Sequence, residues 1–147
     1  MNVLNVNHAE ARGILFIRLA VGLIFSTQGV LKYIDPNMGV LRFTKLGFSH
    51  PSFTAHFVGA FEMACGALVL AGFFTRLAAV PLLVIISTAI AITKIPELSR
   101  PNQGFWFMAS DARTDFAMLC SLLFLLITGA GGISLDAWRS RRTRSTT

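Results

Sequence analysis

The residue with the clearest chemical potential is Glu62, a lone carboxylate near the middle of a long apolar run, residues 53–74. A charge inside an apolar segment needs a cationic partner, a proton or water, because removing it from water is costly. Ionisable residues in such segments often belong to ligand or proton pathways. A buried ion pair can also serve only to fix the register of two helices. Glu62 is therefore a candidate catalytic residue, with a purely structural role as the alternative.

Three polar residues of the first apolar run, residues 13–34, are candidates to complete a ligand or proton pathway with Glu62: Arg18, Gln28 and Lys32. A helical rise of about 1.5 Å per residue puts Gln28 near the depth of Glu62, and Arg18 about 7 Å from the opposite end. We expect Glu62 to lie between Arg18 on one side and Gln28 and Lys32 on the other. For Arg18 and Lys32 an anchoring role is the favoured interpretation and the pathway role the alternative, since each long side chain can snorkel to water.

The same two runs carry glycines at helical spacing. Gly22 and Gly29 lie on the face of the first run that carries Arg18 and Lys32, and Gly59 and Gly66 lie on the face that carries Glu62. Glycine lets two helices approach closely, so we expect these faces to pack against each other. Polar residues of the later runs fall within about one helical turn of the level of Glu62. We expect four of them to join it in a polar layer: Ser87, Thr88, Cys120 and Ser121.

The composition is that of an integral membrane protein. Hydrophobic residues make up 54% and charged residues 14% of the 147 residues, whereas soluble domains carry about 25% charged residues. Four apolar runs are each near the roughly 20 residues that a helix needs to cross a bilayer. They cover residues 13–34, 53–74, 77–95 and 114–133. We predict an all-α, integral membrane four-helix bundle formed by a single domain, residues 1–147.

A short helix is expected after the first span. Asp35 can cap a helix whose first residue is Pro36, and Gly47 can end it. Apolar residues recur between them at helical spacing. This amphipathic pattern is typical of a helix that lies in the membrane interface.

The basic residues decide the expected orientation. Four arginines lie in the tail, residues 137–147, directly after the last apolar run. Positive residues favour the cytoplasmic side, and an even number of spans puts both termini on one side. We therefore expect a multi-pass protein of the plasma membrane, the inner membrane in bacteria, with both termini in the cytoplasm. A nucleic-acid partner is not expected, because no folded basic face accompanies the tail.

The other ends of the later spans carry less specific signals. Lys94 and Asp115 lie at the same expected end of their spans, where they can pair with each other. The aromatic cluster at residues 105–107 is typical of membrane interfaces and can also lie over the end of the bundle. We expect anchoring roles for both features.

The sequence offers no ligand set for a metal centre. Its three histidines are scattered, and His56 does not share a helical face with Glu62. Cys65 and Cys120 lie inside apolar runs without a CxxC motif, and buried cysteines usually act as small hydrophobic residues. We expect no metal. No cofactor is identifiable from the residues, and a quinone is the one left open.

Several short motifs, in this order and spacing, resemble the DoxX family of small four-span membrane proteins. They are Arg18-Leu19, Gly22-Leu23-Ile24-Phe25, Gln28-Gly29, Lys32, Glu62, Gly66, the stretch from Gly72 to Ala79, Gly129-Ala130-Gly131 and Ser134-Leu135-Asp136. The resemblance covers nearly the whole chain, residues 12–136. It implies a four-helix membrane bundle and an oxidoreductase label.

Three functions follow as hypotheses. The first, which rests mainly on the family resemblance, is a membrane component of a quinone- or thiol-linked redox complex with a partner oxidoreductase. The second is a small proton-coupled transporter, expected to be a homo-oligomer, with Glu62 as its central ionisable group. The third is a non-catalytic scaffold in which Glu62 only fixes helix register. Whether the protein is an enzyme is left open.

Overall fold

A computed structural model describes residues 3–96 and 105–138, with side chains from residue 10 onward. The described residues form helices and no strands, so the predicted all-α class is confirmed. The helices are α1 (Val3–Ile34), α2 (Val40–Lys45), α3 (Pro51–Ala71), α4 (Thr75–Ala89), α5 (Phe105–Asp111) and α6 (Arg113–Thr128). A π-helical turn, Ile90–Lys94, continues α4.

Three of the described helices are long and apolar enough to cross a membrane: Glu10–Ile34 in α1, Pro51–Ala71, and Thr75–Lys94 in α4 and its π-helical turn. The predicted fourth span, residues 114–133, is only partly helical. Helix α6 has 16 residues, which corresponds to about 24 Å, against a hydrocarbon core of about 30 Å. It ends where Gly129 adopts a φ of 78°, and the residues up to 134 form a loop.

The short helix after the first span is present, with a later start than expected. Asp35 accepts a hydrogen bond from the backbone N–H of Asn37 at 2.9 Å, but this bond closes a turn, and helix α2 begins only at Val40. Gly47 follows the helix with a φ of 80°, a conformation that glycine adopts at little cost. Phe43 is 8% exposed and fixes α2 against the rest of the protein.

Helices α1 and α3 pack directly through their glycines. A Cβ added at Gly66 would lie 2.9 Å from the backbone nitrogen of Ser26, and one added at Gly29 would lie 2.7 Å from the carbonyl oxygen of Gly59. A Cβ added at Gly22 would likewise lie 2.8 Å from the carbonyl oxygen of Gly66. The glycine-bearing faces of the two helices are therefore in contact, in an antiparallel arrangement.

Substitution of Gly66 by valine should separate these helices and destabilise the protein by about 1–3 kcal/mol, because the new side chain would meet backbone atoms that cannot move aside. Gly13 is the matched control, since a Cβ there meets nothing within 4 Å. Gly13→Ala should be neutral or stabilising by up to about 1 kcal/mol. Unfolding titrations in detergent micelles measure both. Equal effects would show that the glycine contact is not required.

The apolar core lies among four helices, α1, α3, α4 and α6. Its fully buried side chains include Val21, Val69, Leu82, Leu122 and Leu125, each 0% exposed. Many large apolar side chains point outward, which is expected of helices that face lipid.

Candidate functional site

Lys32 and Glu62 form an ion pair across the α1–α3 contact. The Nζ atom of Lys32 lies 2.5 Å from Oε2 of Glu62. Side chains tilt towards the N-terminus of their helix. Lys32 lies near the C-terminal end of α1, so its side chain points towards the interior of the bundle. Helix α3 runs in the opposite direction, so the Glu62 side chain points towards Lys32. The two charges meet below the end of α1, which we call the Lys32 end of the bundle.

The pair is shielded from its surroundings. The Lys32 side chain is 12% exposed and the Glu62 side chain 6%. Gly59 makes room for the lysine, because a Cβ there would lie 3.3 Å from the Cβ of Lys32 and 2.9 Å from the ring of Tyr33. Gly59 therefore has a second role besides helix packing, because it leaves the space through which the Lys32 side chain reaches the Glu62 carboxylate.

Gln28 lies one helical turn before Lys32 on α1, so the two side chains are neighbours on the helix surface. Gln28 is exposed, although it belongs to the membrane-spanning part of α1. Its amide makes no hydrogen bond to the described residues. The structure therefore places the Gln28 amide beside the Lys32–Glu62 pair, with no hydrogen bond to Glu62.

Tyr33 and His56 lie next to this pair at the Lys32 end. The Tyr33 hydroxyl donates a hydrogen bond to the carbonyl of His56 at 2.7 Å, and the two rings are 4.9 Å apart. The Nδ1 atom of His56 is 2.7 Å from the carbonyl oxygen of Ser52, so this nitrogen carries the proton. Sequence reasoning missed Tyr33, and its position one residue after Lys32 was the only available signal.

The depth of Arg18 in the apolar run allowed its side chain to snorkel to water, but the side chain is buried instead. It is 2% exposed. Its Nε atom donates to the carbonyl of Val69 at 3.0 Å, and Nη2 donates to that of Leu70 at 2.7 Å. Nη1 donates to the carbonyls of Ala130 at 3.0 Å and Ile133 at 2.6 Å.

These carbonyls belong to the last turn of α3 and to the loop after α6. The final carbonyls of a helix have no partner within it, so a buried cation satisfies them well. We call this the Arg18 end of the bundle. Arg18 ties together three parts of the chain that are distant in sequence, and its contacts indicate a structural role.

The polar residues of the later spans do not surround Glu62. Ser87 and Cys120 are exposed. Thr88 donates to the carbonyl of Val84 at 2.8 Å, and Ser121 donates to that of Ala117 at 2.7 Å. The described charged partner of Glu62 is Lys32 on the neighbouring helix, and a layer contributed by all four apolar runs is not observed among the described residues.

Lys94, in the π-helical turn, connects α4 to α5 and α6. It pairs with Asp115 at 3.8 Å, as expected from the sequence, and makes a closer hydrogen bond to Asp111. The sequence did not single out Asp111, because it lies outside the apolar runs. Phe105, Trp106 and Phe107 on α5 are 60%, 83% and 49% exposed, which agrees with a membrane interface.

The Lys94 hydrogen bond lowers the pKa of Asp111 below its ordinary value. The resulting stability is fully present above the unfolded-state pKa of about 3.9 and is lost as the pH falls through the folded-state pKa. Asp111 is 47% exposed, so we expect at most about 0.5 kcal/mol. Asp111→Asn should remove this step from the pH dependence of unfolding below about pH 4. An unchanged profile would contradict the assignment.

No group of three histidine, cysteine, aspartate or glutamate residues within the described part of the chain is placed to hold a metal ion. Cys65 is buried and Cys120 is exposed, and both are free thiols.

The DoxX family model matches residues 13–95, which include α1 from Gly13 onward, α2 to α4, and Gln28, Lys32 and Glu62. The Mycobacterium tuberculosis protein named "Uncharacterized membrane protein Rv3486" is 44% identical over 141 residues, 92% of this chain and 86% of the relative. The Bacillus subtilis protein named "Putative oxidoreductase CatD" is 30% identical over 131 residues, 89% of this chain and 90% of the relative.

A third relative, the Escherichia coli inner membrane protein YphA, is 30% identical over 132 residues, 84% of this chain and 87% of the relative. No solved structure matches the chain. The relatives are matched over most of their length, and two of them are named membrane proteins. The chain therefore belongs to the DoxX family and is a membrane protein.

Proposed function

We propose that this protein is a membrane component of a quinone-linked redox complex, in which Gln28, Lys32 and Glu62 bind the polar headgroup of a quinone. The observation that carries the proposal is the Gln28 amide, which has no hydrogen-bond partner in the described part of the chain and lies one helical turn from a buried ion pair. An amide inside the bilayer is costly unless it finds a partner. A lipid-soluble molecule with a polar headgroup is such a partner.

The chemistry of the three residues fits a quinone. The amide N–H of Gln28 and the ammonium of Lys32 are donors, and a quinone carbonyl accepts hydrogen bonds. The Glu62 carboxylate, held 2.5 Å from Lys32 Nζ, can accept or release a proton near the headgroup. Reduction of a quinone to a quinol takes up two electrons and two protons. In this proposal a partner oxidoreductase supplies the electrons.

The cysteines favour the quinone-linked form over the thiol-linked one. Cys65 is buried against the core, Cys120 lies on the exposed surface of α6, and both are free thiols, so no thiol pair is seen among the described residues. The relative CatD carries the name "Putative oxidoreductase", which supports the proposal of a redox setting for this chain.

We also propose the topology that this function needs. Helix α6 crosses the membrane together with the loop that follows it, as the fourth span. Helix α2 lies in the interface at the Lys32 end, held by Phe43. The basic tail then places both termini, and with them the Arg18 end, in the cytoplasm.

The proposal is tested by purification in mild detergent followed by mass spectrometry of the lipophilic molecules that remain bound. The wild-type protein should retain a quinone. Gln28→Leu should lower the retained amount about ten-fold, because the loss of one hydrogen bond to the headgroup weakens binding by about that factor. Ser87→Ala is the matched control, since Ser87 is an exposed polar residue of another span. Absence of quinone from the wild type, or equal retention by both variants, would refute the proposal.

A scaffold function is the second candidate, and a specific observation favours it. The charges of Lys32 and Glu62 neutralise each other beside the glycine contacts of α1 and α3. This arrangement is expected of an ion pair that fixes the register of two helices. A scaffold predicts that Glu62→Gln weakens assembly while the quinone content of the membrane complex is unchanged. A proton-coupled transporter would instead show Glu62-dependent flux in proteoliposomes.

A further inference from the structure

Two motifs that the Lys32–Glu62 site does not use meet at the Arg18 end of the bundle. The start of α4 at Phe74–Leu77 and the loop after α6 enclose an open cleft of about 550 Å³. Asp136 joins its two sides, because it accepts a hydrogen bond from the backbone N–H of Phe74 at 3.2 Å and donates its own N–H to the carbonyl of Gly72 at 3.1 Å.

Arg76 lines this cleft and is held in place there. Its Nη2 atom donates to the carbonyl of Ile127 at 2.8 Å, and Gly129 lies against it, since a Cβ there would come within 3.2 Å of Nε. Arg76 makes no ion pair with any described carboxylate. The remaining N–H groups of its guanidinium are thus oriented and have no hydrogen-bond partner among the described residues, in the geometry that suits a phosphate group.

The residues before Arg76 add two observations. The Thr75 hydroxyl is buried and has no hydrogen-bond partner among the described residues, and Thr75 is 1% exposed. Phe74 has a φ of 48°, a conformation that is rare for a bulky residue and often marks a functional site. A ligand oxygen in the cleft would satisfy the Thr75 hydroxyl.

The charges around the cleft favour an anion. Asp136 also lines the cleft, but it lies close enough to the Arg18 guanidinium to interact with it electrostatically. Arg18, Asp136 and Arg76 together carry one net positive charge. The cleft also has an apolar flank, because Phe74 is 49% exposed and Leu77 on the spanning helix is 70% exposed. A phosphate attached to acyl chains fits both features.

We propose that this cleft binds one phospholipid, with its phosphate on Arg76 and Thr75 and an acyl chain along Phe74 and Leu77. The bound lipid bridges α4 and the loop after α6. This site is independent of the quinone site, which lies at the other end of the bundle.

Native mass spectrometry of the detergent-purified full chain, titrated with phosphatidylglycerol, tests the proposal. The wild type should bind one phosphatidylglycerol molecule more tightly than any further molecules of this lipid. Arg76→Gln should weaken the binding of that first molecule about ten-fold. Arg113→Gln is the matched control, because Arg113 is an exposed arginine at the start of α6, outside the cleft, and its guanidinium donates to the carbonyl of Ser110 in α5. It should leave the tight binding unchanged.

Two competitors separate the sources of phosphate. Glycerol 3-phosphate and inorganic phosphate share the headgroup chemistry but lack acyl chains, so neither should displace the lipid at equal concentration. Displacement by either would overturn the assignment to a lipid. Equal losses in the two arginine variants would also overturn it, since they would show unspecific attraction of lipid to exposed arginines. If Arg76→Gln fails to fold, Thr75→Val should still lower the tight binding in a folded protein.

Discussion

Replacement of Lys32 by methionine should destabilise the protein by about 3 kcal/mol, because it leaves the Glu62 carboxylate buried without its cation. Glu62 is 5% exposed, so water does not replace the ammonium. The packing cost of the substitution itself is small, since lysine and methionine have similar apolar stems. Unfolding titrations in detergent micelles measure the loss.

The double variant Lys32→Met, Glu62→Leu distinguishes a lost charge pair from a packing defect. Replacement of a whole buried ion pair by apolar residues is often neutral or stabilising. We therefore expect the double variant to regain most of the stability that Lys32→Met loses, to within about 1 kcal/mol of the wild type. Additive losses from the two substitutions would show that the pair is not coupled, which would contradict the ion pair in the structure.

Substitution of Arg18 by methionine should be at least as damaging, with a loss of about 4 kcal/mol or more. Four backbone carbonyls accept hydrogen bonds from its guanidinium, and each buried acceptor left unpaired costs about 1–3 kcal/mol. The loop after α6 should also loosen from α3, because the Arg18 guanidinium donates hydrogen bonds to carbonyls of both. Unfolding titrations and proteolysis within residues 129–134 report the two effects.

Arg76→Met is the control for the loss of a guanidinium at the same end of the bundle. Arg76 is exposed and donates one hydrogen bond to a backbone carbonyl, so we expect a loss of about 1 kcal/mol or less. Arg18→Lys should recover only part of the stability, because an ammonium cannot reach carbonyls on both sides with the planar geometry of a guanidinium. Full stability of Arg18→Lys would show that charge alone, and not the four contacts, holds this end together.

The sequence was sufficient to predict the helical class and the α1–α3 contact. Both depend on local information, namely the length of apolar runs and the spacing of Gly22, Gly29, Gly59 and Gly66. The closeness of Lys32 to Glu62 follows once these faces meet, since both residues lie on them.

The position of Arg18 was not predictable in the same way. Its depth in the apolar run allowed it to snorkel, and depth is all that the sequence provides. The carbonyls that bind it come from the end of α3 and from a loop more than a hundred residues away along the chain. Every residue has a backbone carbonyl, so the sequence does not indicate which carbonyls will accept hydrogen bonds from Arg18. Only the fold shows which of them lie together around its guanidinium.

The end of α6 shows the same limit. Hydropathy continues through the apolar residues after Thr128, which extends the predicted span to residue 133. The backbone at Gly129 and Gly131 adopts positive φ values of 78° and 73° instead, and this opens the loop whose carbonyls receive Arg18. The helix of the predicted fourth span therefore ends at Thr128 and not at residue 133.

The central claim is that a quinone headgroup lies beside the Lys32–Glu62 pair. Photolabelling with an azido-quinone, followed by peptide mass spectrometry, tests it most directly. We predict labels on α1 around Gln28 and Lys32 and on α3 around Glu62, protection by excess unmodified quinone, and a loss of about ten-fold in Gln28→Leu. Labels spread along the lipid-facing surfaces, unaffected by competitor and by Gln28→Leu, would contradict the claim.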